Sequence, residues 1–449
     1  MGKILTLALL VSCFFVYGED TQAGKNKEAA KTASEASEIT MITTRLAVYL
    51  PKGCGKTPEQ TAHKLVKAQL PDFIPFVKES TSNNPNYEIT WLEDVTKDFA
   101  PPSAQYLEYF GHGLDEQQRQ QLIDSKQALI AVFSYPMKGF TKSVKQTSNY
   151  MAALASQCEG FVWDSQTRQA FSVAAFKSAR IASWHNNIPN IVEHTAIHGY
   201  RDGENFRMIT LGMQAFGLPD IVVNQFLWSD SERINNLVNA IIQSLVEGNL
   251  PNDNSELVIN FDKIQHPAIK ASLQKAKHEN AKATTAIKLS LTENQEGDPY
   301  NVLFEVDFSN WPGKERTEKQ NTLLSHVIGY AGQVDYIQTT KRIEAASAVA
   351  RKKLIRKKPA FNKGLPSGEY IIVKAPFTTN DNGVEWMWVE IVKWSGTQII
   401  GILQNQPRNV TGLNMGAEVT VNQDEIFDYV HYFADGSTEG NETGKLLSQ

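Results

Sequence analysis

Residues 45–60 read Arg45-Leu46-Ala47-Val48-Tyr49-Leu50-Pro51-Lys52-Gly53-Cys54-Gly55-Lys56-Thr57-Pro58-Glu59-Gln60, and the character of the chain changes twice within them. After Arg45 the residues through Leu50 are apolar, which marks a strand. Pro51 and Gly53 break that run. A helix then starts at Thr57: Thr57 stands as N-cap, Pro58 fits a first helical position that needs no amide hydrogen, and Gln60 is placed to close a capping box. Strand, Pro/Gly turn and capped helix in succession set the expected fold class, α+β. Gly53-Cys54-Gly55-Lys56-Thr57 also invites a phosphate-loop reading, but that loop needs G-x4-G-K-[ST] and its first glycine position holds Leu50. The ordinary strand-to-helix turn is the better reading.

Outward from this stretch the same alternation continues. Strands are expected over 87–91, 128–134 and 161–163, and helices over 115–123 and 140–156. Two apolar runs flank Arg201-Asp202-Gly203-Glu204, the setting of an Asp-Gly hairpin. A strand over 221–226 and a helix over 229–247 complete an α+β domain spanning 40–250. Leu250-Pro251-Asn252-Asp253-Asn254 reads as a boundary. A second α+β unit follows over 255–335, with strands at 257–261, 286–291 and 302–308 and helices at 267–277 and 318–330. A third block, 339–433, is β-rich after one helix and reads as a small barrel-like module. The polar, Gly-containing end, 434–449, reads as a disordered tail.

Composition agrees with several packed units. The chain has 449 residues, 41% hydrophobic and 21% charged, which excludes fibrous and wholly disordered classes. At about 150 residues per domain the length suits three. The net charge of −5 gives the whole protein no polyanion-binding character, and no nucleic acid is expected as a partner.

At the start of the chain Lys3 precedes an apolar run through Tyr17. That run is shorter than the roughly 20 residues a bilayer span needs. With Val16-Tyr17-Gly18 at its end, residues 1–18 read as a signal peptide cleaved before Glu19, so the protein is expected to be exported, periplasmic or secreted. The alternative is a lipoprotein: Leu10-Val11-Ser12-Cys13 resembles a lipobox, with Cys13 as the lipidated anchor. Residues 19–39 are polar, without aromatics, and read as a disordered linker. Export leaves Cys54 and Cys158 in a disulfide-permissive space. A bridge between them and two separate thiols both fit the sequence.

Three further features carry chemistry. His194 and His198 stand four apart beside Glu193, a zinc-like spacing on a helix. Thr195, Ile197 and the adjacent hairpin favour a strand, where the two rings would lie roughly 13 Å apart; no metal and no cofactor are expected. Residues 341–363 hold nine basic residues and one acid, Glu344, a balance of +8 that leaves −13 for the remainder of a chain of net −5. Ile343, Ala346, Ala350 and Leu354 recur at helical spacing, so this is an amphipathic helix with a basic back, ended by Pro359. Such a face suits an anionic membrane surface, an acidic partner, or simply solvent. Finally Trp386, Trp388 and Trp394 lie in a strand-like stretch in which Val384, Trp386 and Trp388 share one face and Met387, Val389 and Ile391 the other.

Residues 370–429 resemble the bacterial family labelled domain of unknown function 2314. The likeness rests on Val373-Lys374-Ala375-Pro376-Phe377, Gly383-Val384-Glu385-Trp386-Met387-Trp388-Val389-Glu390, Gly401-Ile402-Leu403-Gln404-Asn405-Gln406-Pro407, Thr411-Gly412-Leu413, Gly416-Ala417-Glu418-Val419 and Ile426-Phe427-Asp428-Tyr429. It implies a small β-rich module and no agreed activity. The segment Thr210-Leu211-Gly212-Met213 to Phe216-Gly217-Leu218-Pro219-Asp220 also looks like a motif of other bacterial α+β proteins. The candidate binding residues are Lys374, Glu385, Trp386, Trp388 and Asn405 in the module and Arg351, Lys352 and Lys353 in the helix. No catalytic arrangement stands at diagnostic spacing. The expected function is therefore non-catalytic binding or interaction with a protein or other component of the cell envelope. The alternative is a hydrolase-like enzyme that assembles His112, His185, His194, His198 and Asp202 from the 40–250 domain.

Overall fold

The computed structural model describes residues 41–55, 57–77, 84–202, 205–278, 281–329, 341–380 and 383–447. The signal segment 1–18, Cys13 and the linker 19–39 lie outside them. The described chain is a mixture of helices and three large sheets, in line with the α+β expectation.

The strand that precedes the Pro/Gly turn sits at the centre of the first sheet. Met41–Leu50 pairs antiparallel along its whole length with Gln127–Pro136, and on its other edge with Phe161–Asp164. The strand starts at Met41, ahead of the expected 45, because Ile42 and Thr44 also turn into the interior. Asn86–Leu92 extends the sheet on one side and Gln169–Phe171 on the other. The helix Pro58–Gln69 begins as expected with Pro58 at its start, but its capping box does not form: the Thr57 hydroxyl turns to the Gln60 side chain at 3.2 Å. A reciprocal box closes instead at Asp115 and Gln118, where the next helix, Glu116–Ile123, begins. Phe140–Gln157 packs beneath the sheet and buries Val144, Met151, Leu154 and Ala155.

The Asp-Gly hairpin forms as read: Ala196–Asp202 pairs with Asn205–Leu211, with Asp202 opposite Asn205. These strands begin a second, six-stranded sheet that continues through Asp220–Phe226, Leu303–Asp307, Thr284–Thr292 and Glu256–Asn260. Its members come from both sides of 250–254, so the expected divide between a 40–250 domain and a 255–335 unit falls inside one sheet. Asp220–Phe226 and Leu303–Asp307 pair in parallel across it, and one hydrophobic core runs from Ile42 to Ile328. The polar 250–254 segment is only the connection between the helix Ser231–Val246 and an edge strand.

The motif from Thr210 to Asp220 is the link between two strands of this sheet. The buried Asp220 carboxyl accepts from the Thr210 hydroxyl (2.7 Å), the Asn301 amide (2.7 Å) and the Met213 backbone (3.3 Å), and burial raises its pKa to about 6. Gly212 has φ +113° and lies so near the first sheet that a Cβ would stand 2.7 Å from the Thr167 methyl and 2.9 Å from the His194 carbonyl oxygen. Glycine is required there for both reasons.

The third sheet, from the C-terminal quarter, is antiparallel in the order Glu418–Asn422, Gln398–Leu403, Val384–Ser395, Tyr370–Thr378, Asp428–Tyr432, Thr438–Gly440. Its end strands do not pair with each other, so the barrel-like expectation gives way to an open sheet with a core of its own. One face is covered by the helix Lys341–Lys363, whose Ala350 and Leu354 pack with Ile371, Val373, Met387, Val389 and Tyr429. The helix passes through Pro359 rather than ending there. Proline removes the hydrogen bond to the turn before it and crowds the carbonyl four residues back, but the final turn is held by Phe361 against Trp394, ring centroids 6.2 Å apart. Trp394 leaves the face of Trp386 and Trp388 because the pairing shifts between Ile391 and Lys393, and a bulge reverses the alternation.

The expected disordered tail is ordered through residue 447. Thr438–Gly440 adds an edge strand, and the fully buried Asp428 carboxylate accepts from the backbone of Glu442 (3.2 Å) and Thr443 (2.7 Å). Polar residues are used here as hydrogen-bond partners, which a hydrophobic pattern does not report.

Candidate functional site

The C-terminal module presents two faces. On the sheet face opposite the helix, Trp386 and Trp388 are half-buried on one strand, facing Pro376 and Lys374 on the next. Trp386 stacks on Phe427 with centroids 4.6 Å apart, and the buried Lys374 ammonium lies 5.6 Å from the centre of the Trp388 ring. This is a compact aromatic row with a cation set into it.

Glu385 and Asn405, two other candidates, hold backbone. The Glu385 carboxylate is buried and accepts from the amides of Arg408 and Asn409, each at 2.9 Å. Asn405 accepts from the Trp388 amide while the Gln404 amide donates to the Trp388 carbonyl at 2.8 Å. Together they pin the 404–409 loop beside the tryptophans. Both are positioning residues.

Two residues beyond Trp388 the same face meets the body of the protein. Glu390 is buried there beside Ser229 and Asp230, just ahead of the helix Ser231–Val246, and its Oε2 has no hydrogen-bond partner among the described residues. Burial raises the Glu390 pKa to about 8, and the neighbouring Asp230 carboxylate adds to the rise. Around it Ser229 donates to Gln404 (3.0 Å), Thr317 donates to the Gly416 carbonyl (2.7 Å), Tyr370 packs on the main core, and Asp230 pairs with Arg233.

The helix face is divided more finely than composition suggests. Arg351 donates to Ser347 (2.8 Å) and to the Ile426 carbonyl (2.9 Å), and Lys353 pairs with Glu442 at 2.6 Å. Lys357 pairs with Glu439, and Lys358 donates to the Gly396 carbonyl. Of the three candidates named on this helix only Lys352 points outward; Arg342, Arg356 and Lys363 are exposed with it.

Of the histidines of the enzyme reading, His112 and His194 both lie near Arg180, while His198 is buried beside Phe110. His112 stacks on Phe171 at 4.8 Å and His198 on Phe110 at 4.6 Å. Burial lowers the His112 pKa to about 4, with Arg180 adding, and the His198 pKa to about 3, with Arg168 adding. His185 and Asp202 are exposed. His194 does not share a strand with His198; it ends the one-turn helix Ile191–His194, with its Nε2 3.2 Å from the Ser183 hydroxyl. Burial, then Arg180, keeps it neutral.

Arg180 carries no signal in the sequence motifs. It is buried on a wide π-type turn, Lys177–Ile181, and donates to Asp164 (3.0 Å), Thr167 (3.3 Å), Gln169 (3.3 Å) and the Glu193 carbonyl. A cavity of about 40 Å³ adjoins it, lined in part by Thr44, Asp164, His194 and Gly212. At about 10–15 Å³ per water this is room for three or four water molecules. The visible signal for other buried charges is their setting inside an apolar run, as at Glu390 within Val389-Glu390-Ile391-Val392 and Asp428 within Phe427-Asp428-Tyr429-Val430.

Cys54 and Cys158 are bonded, with Cα atoms 4.7 Å apart. The bridge ties the turn after Met41–Leu50 to the end of Phe140–Gln157. No helix among the described residues is long and apolar enough to cross a membrane.

Residues 341–449 match the model of domain of unknown function 2314, a family described as an uncharacterized protein conserved in bacteria. The likeness read from residues 370–429 therefore holds, and it extends over the basic helix and the folded tail. Nothing matches the chain among curated proteins or among solved structures.

Proposed function

We propose that the protein is exported to the bacterial cell envelope and acts there by binding rather than by catalysis. The observation that carries the reading is the Cys54–Cys158 bond, since disulfides form and persist in oxidising compartments and are rare in the cytosol. It accords with the charged and apolar start of the chain read as an export signal. The binding half rests on the C-terminal module, which holds the half-buried tryptophan row beside the buried Lys374 and the exposed outward side of the basic helix, whereas His112, His194 and His198 are each packed against an aromatic ring. The test is fractionation of the producing cells with thiols trapped at lysis, followed by intact mass. The expected result is an envelope or extracellular chain beginning at Glu19 with Cys54 and Cys158 inaccessible to alkylation until reduced. A chain retaining Met1 in the cytosolic fraction, with both thiols alkylated, overturns it. A diacylated or triacylated Cys13 at the mature start would make the same protein an anchored one.

A further inference from the structure

We infer that the outward side of the helix Lys341–Lys363 is a docking surface for an anionic bilayer leaflet. The inference rests on the envelope-binding reading above and names the partner for one of its two faces.

The two sides of this helix differ in kind. Ile343, Ser347, Ala350 and Leu354 are buried against the sheet. Residues at spacings of three and four on the other side, Arg342, Ala345, Val349, Lys352, Arg356, Pro359 and Lys363, are all exposed. The flanking cations, Arg351, Lys353, Lys357 and Lys358, are turned to carbonyls and carboxylates of the module itself. What remains outward is a row of four cations along about 32 Å of helix, from Arg342 to Lys363 at 1.5 Å per residue. Val349 lies within it, 46% exposed; Ile355, 43% exposed, flanks it beside Arg356, and the one acid of the helix, Glu344, is exposed on that same flank.

Cations interleaved with exposed aliphatic side chains on one side of a helix match a membrane interface, where apolar groups enter the headgroup boundary and charges meet lipid phosphates. The side is a convex helix surface, which suits a broad charged plane better than an extended acidic peptide, whose recognition calls for a groove or a sheet edge. Charge elsewhere supports one orientation: the rest of the chain carries −13, so the body is repelled from the same leaflet.

The test is co-sedimentation of the purified protein with vesicles of phosphatidylcholine alone or mixed with phosphatidylglycerol. The wild type should bind only the anionic vesicles and be released by added salt. Near such a surface each cation contributes about fivefold in affinity, so R342Q/K352Q/R356Q/K363Q should weaken binding by several hundredfold at low salt. Its thermal midpoint should stay close to that of the wild type. The inward set R351Q/K353Q/K357Q should do the reverse, lowering the midpoint with smaller loss of binding. V349S/I355S, which keeps every charge, should weaken binding at high salt more than at low salt. Equal vesicle binding by the outward variant overturns the inference, as does a wild type that ignores phosphatidylglycerol. Capture of soluble polyglutamate without vesicle binding also overturns it, in favour of an acidic polypeptide. Vesicle binding is read on purified protein, so its failure leaves the export reading standing. A cytosolic, reduced chain would sink that reading alone.

Discussion

Glu390 is a carboxyl placed where a neutral group is wanted: it is buried between module and body, faces Asp230, and is raised from an ordinary 4.5 to about 8. The other charged or titratable groups facing the pair are Arg201, Arg233 and Tyr370. Because the folded value lies above the unfolded one, the stabilisation from protonated Glu390 is complete below about pH 4.5 and is lost as pH rises through about 8. Asp220 acts with the same sign but is spent by about pH 6. His112, His194 and His198, lowered from 6.5 by burial, instead add stability as pH rises through about 6.5. Glu390 is therefore isolated by the difference between wild type and a Glu390 variant rather than by the pH interval alone. Urea melts of wild type and Glu390→Gln between about pH 6 and 8 should show the wild type losing stability relative to the variant, by on the order of a few kcal/mol, because the histidine contribution is common to both and cancels. Parallel pH profiles for the two proteins would mean that Glu390 is not responsible. Glu385 is the opposite kind of buried acid, with both oxygens engaged by amides. Glu385→Ala strips the Arg408 and Asn409 amides of their acceptor and should cost about 1–3 kcal/mol. Hydrogen exchange at those two amides should accelerate; unchanged protection would show that the loop is held by other contacts.

The Cys54–Cys158 bridge joins elements 104 residues apart in sequence, so it restricts the unfolded chain over a long loop. Cys54→Ser with Cys158→Ser should lower the unfolding free energy by about 2–4 kcal/mol, read as a shifted denaturant midpoint relative to the oxidised protein. An unchanged midpoint would show that the two ends are held as well by the core around Val48 and Leu154. The elements of this part of the chain are largely legible in the amino-acid sequence. The helix Phe140–Gln157 and the hairpin across Asp202 announce themselves through apolar period and turn chemistry, both local properties. The misreadings share a cause as well. Pro359 is a helix breaker by local rule, yet Phe361 on Trp394 carries the helix one turn further. The 434–449 segment has no apolar pattern because it is held by Asp428 and by Lys353 and Lys357 from another element. Lys352 and Lys353 are neighbours in sequence, but only the pairing with Glu442 shows that one faces in and the other out. Candidate residues can be read from the chain; their division into holding and contacting groups depends on tertiary partners.

At the scale of the molecule the same limit applies to the domain division. Leu250-Pro251-Asn252-Asp253-Asn254 looks like a linker, yet strands from both sides of it meet in one sheet, because pairing between Asp220–Phe226 and Leu303–Asp307 spans some eighty residues of sequence. The separation that does hold is of cores, one from Ile42 to Ile328 and another from Ala350 to Tyr429. That separation predicts that a fragment of residues 341–449 folds alone, with a cooperative thermal transition by circular dichroism. Truncation after Gly436 should abolish or strongly weaken the transition. It removes the edge strand Thr438–Gly440 and the acceptors of Lys353 and Lys357. It also takes away the Glu442 and Thr443 amides from Asp428, leaving a fully buried carboxylate short of donors at a cost of several kcal/mol. In the longer fragment Glu390 no longer faces Ser229 and Asp230, so its pKa should fall back toward the ordinary carboxylate range and the difference in stability between this fragment and its Glu390→Gln variant across about pH 6 to 8 should vanish. Equal melting of the two fragments would show that the tail is an ornament on the module. Persistence of the Glu390-dependent difference in the longer one would place its origin inside the module, away from the contact with the body.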